Sequence, residues 1–220
     1  IYTMLGTVIG ARLGHCLFYA PDYYLANPLE ILKVWEGGLA SHGGTLGIII
    51  AIYFYSKRVS HRSMLWTFDK LVVPTGLVAA MIRLGNLMNH EIYGHPTDLP
   101  WGVRFIENLH AWKRGAAPVF TAPSHPTQLY EAASYLVTFV ICMWLYFKKD
   151  AWKKEGLLFG VFMICVFGSR FFIEFLKNDQ EEFEADMMLN MGQWLSIPFV
   201  LAGIYFVWRA MRLGKGMKKI

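Results

Sequence analysis

Cysteine is scarce in this chain: Cys16, Cys142 and Cys165 are the only three, and none stands in a CxxC or Cys/His spacing. Neither a disulfide framework nor a zinc site can be built from such a set, so the three are read as small apolar residues within apolar runs. Internal repeats, low-complexity segments and a compositional break between domains are also missing. A positively charged leader is absent too. Ile1 lies within an apolar run with no initiator Met, so a secretory signal peptide is not expected and upstream sequence is.

What the chain has is apolar surface. Of its 220 residues, 55% are hydrophobic and 16% aromatic, with a mean hydropathy of +0.34, a balance soluble domains rarely reach. Six runs approach the roughly 20 apolar residues that cross a bilayer. They are Ile1 to Ala20, Leu39 to Tyr55, Lys70 to Met88, Gln128 to Phe147, Gly156 to Leu176 and Met191 to Met211. The predicted fold is a single all-α polytopic membrane domain over 1–220. Two glycine series, Gly6/Gly10/Gly14 and Gly43/Gly44/Gly47, have the spacing that lets membrane helices approach closely.

The net charge of +5 does not call for nucleic acid, because the cations alternate between the ends of the runs. One set comprises Lys57, Arg58, Arg62 and Lys70, then Lys148, Lys149, Lys153 and Lys154, then Arg209, Arg212, Lys215, Lys218 and Lys219. By the positive-inside rule that set faces the cytoplasm, the C-terminus with it. The opposite connections carry only Lys33, Arg104, Lys113, Arg114 and Lys177. They are Pro21 to Gly38, the long loop at 89–127, and the acidic "KNDQEEFEAD". A loop as long as 89–127 is expected to have a function.

Three arginines remain inside the runs: Arg12, Arg83 and Arg170. Each costs about 2.5–3.5 kcal/mol at a helix centre, and so calls for an anionic partner, a wet cavity or a route to the interface. For Arg12, snorkelling or helix pairing stands beside a functional role. Arg170 has Glu174 at i+4, whereas Arg83 has no carboxylate at helical spacing. Chain direction puts Arg83, Asn86, Arg170 and Glu174 in the outer halves of their spans. His42 opens its span at the same level, and Gly43 and Gly44 are expected to leave room beside it for a bulky group. Asn86 and Glu91 fit either a site or a helix pairing and cap, while Tyr130 and Glu131 read as structural residues of a helix entrance. Together these groups predict a basic pocket near the outer surface, suited to a phospholipid headgroup.

Four segments carry a family resemblance: "KVWEGGLASHGGTLG", "IRLGNLMNHEIYGHPTDLPWGVRF", "HPTQLYEA" and "SRFFIEF". They resemble the signature segments of prolipoprotein diacylglyceryl transferases. The resemblance implies an inner-membrane enzyme that moves diacylglyceryl from phosphatidylglycerol to the lipobox cysteine of a preprolipoprotein signal peptide. Glycerol phosphate is released, and no metal or cofactor takes part. It further implies that His42 is the essential histidine, that Arg83, Asn86, Glu91 and Gly94 are signature positions, and that Arg170 and Glu174 are the late pair. Gly43 and Gly44 join Arg83, Asn86, Gly94 and Glu174 as substrate-binding positions. The family has seven helices, and its first, with an important tyrosine, has no counterpart among the six runs.

In such a reaction negative charge grows on the departing phosphate, which a fixed guanidinium stabilises: Arg83 first, Arg170 second. The attacking thiol has pKa about 8.5 and needs a base, either His42 or Glu91. A transporter of anionic solutes is the competing reading, although such proteins tend to show inverted repeats. A purely structural membrane subunit would leave the three arginines unexplained.

Overall fold

The computed structural model describes residues 1–177 and 189–216. Past Lys177, the acidic segment running to Asp186 lies outside the described residues, as do Lys218 and Lys219. The chain forms two compact units, Ile1–Thr67 and Phe68–Ile220. Regular structure among the described residues is helical, with isolated β-bridges but no named strand.

In the first unit, α1 (Tyr2–Phe18) packs against α3 (Ser41–Tyr55) through the two glycine series. A side chain on Gly10 would strike the Gly43 carbonyl, and one on Gly47 the Gly6 carbonyl. Only glycine permits backbones to approach this closely, which is the helix-packing role expected of them. A short helix, α2 (Pro21–Ala26), and 3₁₀ turns at Pro28–Leu32 and Val34–Glu36 connect the two.

Arg12 fastens that connection. Its guanidinium, 4% exposed, donates to the carbonyls of Glu30 (2.6 Å), Ile31 (2.9 Å), Gly37 (2.6 Å) and Gly38 (3.3 Å), and lies over the Tyr24 ring. Its buried charge is met by a ring of backbone dipoles instead of the carboxylate, cavity or interface route considered for it. The chain can wrap around the arginine because Gly37 and Gly38 take φ of 89° and 68°.

The second unit holds four helices long and apolar enough to cross a membrane: α4 (Met64–Met88), α6 (Thr127–Lys148), α7 (Leu157–Ile173) with its 3₁₀ extension to Leu176, and α8 (Met191–Gly216). In the first unit, α1 and α3 have 17 and 15 residues, short of the usual span. A π turn at Ser56–Ser60 continues α3. Lys70, the first residue of the third apolar run, lies inside α4, which begins six residues earlier, and its ammonium reaches the Tyr146 hydroxyl (3.3 Å) and ring. α8 carries Arg209, Arg212 and Lys215 and so runs beyond the apolar stretch that ends at Met211.

One end of this unit is fixed by Asp69 of α4, whose carboxylate accepts from Gly156 N–H (2.6 Å) and Phe159 N–H (2.8 Å) and so caps α7 from a neighbouring helix. Val72, Val73, Cys142, Leu157, Leu158 and Ala210 form the core beside it, and Gly160 meets Gly203 where α7 crosses α8. All three cysteines are free. A smaller cluster of Ala80, Ala132 and Tyr135 lies towards the other end, where the polar residues collect. The segment at 89–127 is held by bridges of Ser124 with Pro96 and Val103, by α5 (Leu109–Trp112), and by Phe105 stacked on Tyr93 at 4.7 Å. Burial, and then the charge of Glu107, push the Tyr93 phenol above its ordinary pKa.

Candidate active site

The end of α4, the start of α6 and the end of α7 bring a chain of charges together in the second unit. Glu131, fully buried one turn into α6, has Arg83 Nε 3.0 Å from Oε2 and Lys177 Nζ 2.8 Å from Oε1. Lys177 Nζ also reaches Glu174 Oε2 at 3.4 Å, and Arg170 Nε stands 3.7 Å from the same oxygen. Glu131 Oε2 and Arg170 Nε are buried without an aligned hydrogen bond among the described residues, so the Arg83 and Arg170 contacts are ion pairs by distance only. Tyr135, one turn further along α6, faces Arg83, Arg170 and Glu131.

Burial sorts these charges. Side-chain exposure is 18% for Arg83 and 34% for Arg170, against 0% for Glu131, 4% for Glu174 and 2% for Lys177. What the network shows to its surroundings is therefore two guanidinium groups, with both carboxylates behind them.

Arg83 is also tied along its own helix. Its Nη1 donates to Asn86 Oδ1 (3.2 Å), and Asn86 Nδ2 donates to Glu91 Oε1 (2.8 Å), which accepts from Asn89 Nδ2 as well (3.4 Å). Glu91 is exposed, and its position comes from an unusual turn: His90 and Ile92 have φ of 53° and 60°. Such values are rare for non-glycine residues, most of all for a β-branched one. The turn is held by Gln128 Nε2 donating to Glu91 O (2.7 Å), Thr127 Oγ1 to Ile92 O (3.0 Å) and Ile106 N–H to His90 Nδ1 (3.1 Å).

Gly94 lies where the loop passes the end of α7. A Cβ there would run into the Leu176 carbonyl, Thr127 and His125, so glycine serves the crossing of two backbones. Gly192 does the same for Glu174, whose carboxyl a side chain would approach to 2.6 Å.

His42 belongs to the other unit and is exposed in the first turn of α3. The room expected from Gly43 and Gly44 is not found on their side-chain faces. Gly43 abuts Gly10 and Gly14, and Gly44 faces Ala11, because both lie on the seam with α1. A groove of about 950 Å³ along that seam is lined mostly by apolar residues, with Arg58 its one charged side chain.

Arg83, Asn86, Glu91, Arg170 and Glu174 thus form one connected set, with Gly94 at its edge. Sequence reasoning missed Glu131 and Lys177. A signal for the first was present: Gln128, Glu131, Tyr135 and Thr138 form a polar stripe at helical spacing on an otherwise apolar run, and a carboxylate there demands a partner as an arginine does. Lys177 had none, since in sequence it stands among surface residues of an acidic loop.

The family model described as prolipoprotein diacylglyceryl transferase matches residues 1–209. The phosphatidylglycerol–prolipoprotein diacylglyceryl transferase of Porphyromonas gingivalis is 57% identical over 217 residues, covering 96% of this chain and 76% of that protein. Those of Chloroherpeton thalassium and Bacteroides fragilis are 48% and 44% identical, over 96% and 94% of this chain and 75% and 74% of theirs.

Proposed function

Since the chain belongs to the prolipoprotein diacylglyceryl transferase family, we propose that it transfers the diacylglyceryl group of phosphatidylglycerol to the thiol of a preprolipoprotein's lipobox cysteine. The thiolate sulfur attacks the terminal glycerol carbon, a sulfur–carbon bond forms as the carbon–oxygen bond breaks, and the electron pair leaves with glycerol phosphate. The observation that carries the site assignment is the pair of accessible guanidinium groups, Arg83 and Arg170, set over two buried carboxylates.

Arg83 grips the phosphate as its charge grows, with its fork held by Glu131 on one side and Asn86 on the other. Arg170 supplies the second positive charge, and Glu174 keeps it in place. Gly94 shapes the loop, and Asn86 orients both Arg83 and Glu91. His42 takes the thiol proton. Glu91 Oε1 already accepts two amide donors, which leaves the imidazole of His42 the better base.

The chain is a multi-pass membrane protein. We place it in the bacterial inner membrane with six spans, α1 and the path Ser41 to Ser60 being the shorter two, the C-terminus in the cytoplasm and the 89–127 loop outside. The reacting groups then lie near the outer leaflet, where lipid donor and signal peptide meet.

The test is transfer itself. Purified protein is incubated with phosphatidylglycerol and a lipobox peptide, and peptide mass and glycerol phosphate are followed together. Equal molar gains of modified peptide and glycerol phosphate are expected; a peptide that keeps its mass rejects the assignment.

A further inference from the structure

Five charges make up the buried network: Arg83, Lys177 and Arg170 against Glu131 and Glu174. Among the described residues three cations face two carboxylates, so one positive charge is left over there. Glu91 does not cancel it, because that carboxylate is exposed and reaches Arg83 only through the Asn86 amide. An unbalanced charge in a low-dielectric setting is costly, and an anion settling there relieves the cost.

The least accessible cation is the informative one. Lys177 follows α7 and its 3₁₀ turn, where its backbone pairs with Gly94, and its side chain is 2% exposed. It is too deep to touch a lipid headgroup. Its ammonium is spent on Glu131 Oε1 and Glu174 Oε2, the partners of Arg83 and Arg170. Each carboxylate is thus shared between one arginine that faces outward and this one lysine. Without Lys177, Glu131 would neutralise Arg83 and Glu174 would neutralise Arg170, and the two carboxylates would still orient the guanidinium groups but cancel their attraction for phosphate.

We propose that Lys177, acting through Glu131 and Glu174, is a positioning residue that keeps Arg83 and Arg170 electrostatically unspent for the anionic donor lipid. Glu131 is its counterpart: it fixes the direction of the Arg83 fork by its contact with Nε. The inference rests on the assignment of the donor phosphate to Arg83, and it concerns binding of the donor, not the chemistry at the thiol.

The experiment is a charge cycle read as KM for phosphatidylglycerol, KM for peptide, and kcat. Lys177→Met leaves the network neutral and raises the lipid KM about tenfold, the scale of losing one unit charge roughly 12 Å from the phosphate at an effective dielectric near 20. The peptide KM stays within about twofold of the parent. The double variant Glu131→Gln/Lys177→Met again has one spare positive charge. It recovers most of the lost lipid affinity relative to Lys177→Met, while its kcat stays low because the Arg83 tether is weakened. A merely structural lysine gives a different pattern, in which removing a second buried residue makes matters worse. Lys177→Gln keeps a hydrogen-bond donor to Glu131 without charge and carries the same test should Lys177→Met fail to fold. An unchanged lipid KM in the neutral single variants, or a double variant no better than the single, overturns the proposal. Absence of transfer by the parent protein in the same assay rejects the functional reading instead, so the two failures are distinguishable.

Discussion

Arg83 Nε stands 3.0 Å from Glu131 Oε2, an ion pair that joins α4 to α6 and has no spacing signature because its members are far apart in the chain. It resolves why an arginine can sit at the end of an apolar helix with no carboxylate at i±3 or i±4. The partner comes from the next long helix, fully buried, and the arginine keeps part of its surface for a ligand.

The Arg12 clamp has a stability consequence. Arg12→Met removes the donor to four carbonyls, of which Glu30 O keeps the Lys33 N–H at 3.2 Å, and the expected loss is about 3 kcal/mol. A melt of the purified protein reads this as a lower transition temperature, with Arg12→Lys intermediate. Melting at the parent temperature would show that the connection from 28 to 38 holds itself.

Gly94→Ala puts a methyl group into the Leu176 carbonyl, and the crossing of loop and α7 has to open. A cost of about 1–3 kcal/mol is expected from overpacking, with activity falling further because Glu91 and Lys177 flank the crossing. Gly168→Ala is the comparison: nothing lies within 4 Å of its added Cβ, and stability should be unchanged or slightly higher. Equal melting of the two variants would contradict the packing reading of Gly94.

These cases show what the sequence could and could not reveal. Hydropathy located all the long helices, since an apolar run is its own signal, and the intramembrane arginines led to the end of α4 and the end of α7. Their partners were harder. Glu131 was visible as a carboxylate in an apolar run but was read as part of a helix entrance, and the burial of Lys177 depends on how its turn folds back on Gly94. The glycines after His42 carry two readings in sequence, helix packing and room for a bulky group, and the fold supports the first, since α1 takes the space beside Gly43 and Gly44.

The base can be identified by its pH profile. If His42 removes the thiol proton, His42→Gln loses most of its rate at pH 7, and the residual rate of His42→Ala rises as pH approaches the thiol's own pKa of about 8.5. Phosphatidylglycerol binding should survive both changes. A His42→Gln variant as fast as the parent at pH 7 transfers the role to Glu91.

Topology follows from single cysteines introduced at exposed positions. Arg62→Cys and Lys153→Cys should react with an impermeant thiol reagent only from the cytoplasmic side, and Lys113→Cys only from outside. Reaction of Lys113→Cys from the cytoplasm would invert the proposed orientation and move the site to the inner leaflet. The native thiols give little background from Cys16 and Cys142, which are buried.

The central claim is that Arg83 holds the departing phosphate through a two-pronged contact, and the rate of Arg83→Lys against the parent in the peptide transfer assay tests it most directly. A lysine keeps the charge but loses both the fork and the tether to Glu131, so transfer should slow by about 10²-fold or more, the scale of losing one oriented donor to a developing anion. An Arg83→Lys protein that modifies the peptide at the parent rate would contradict the account.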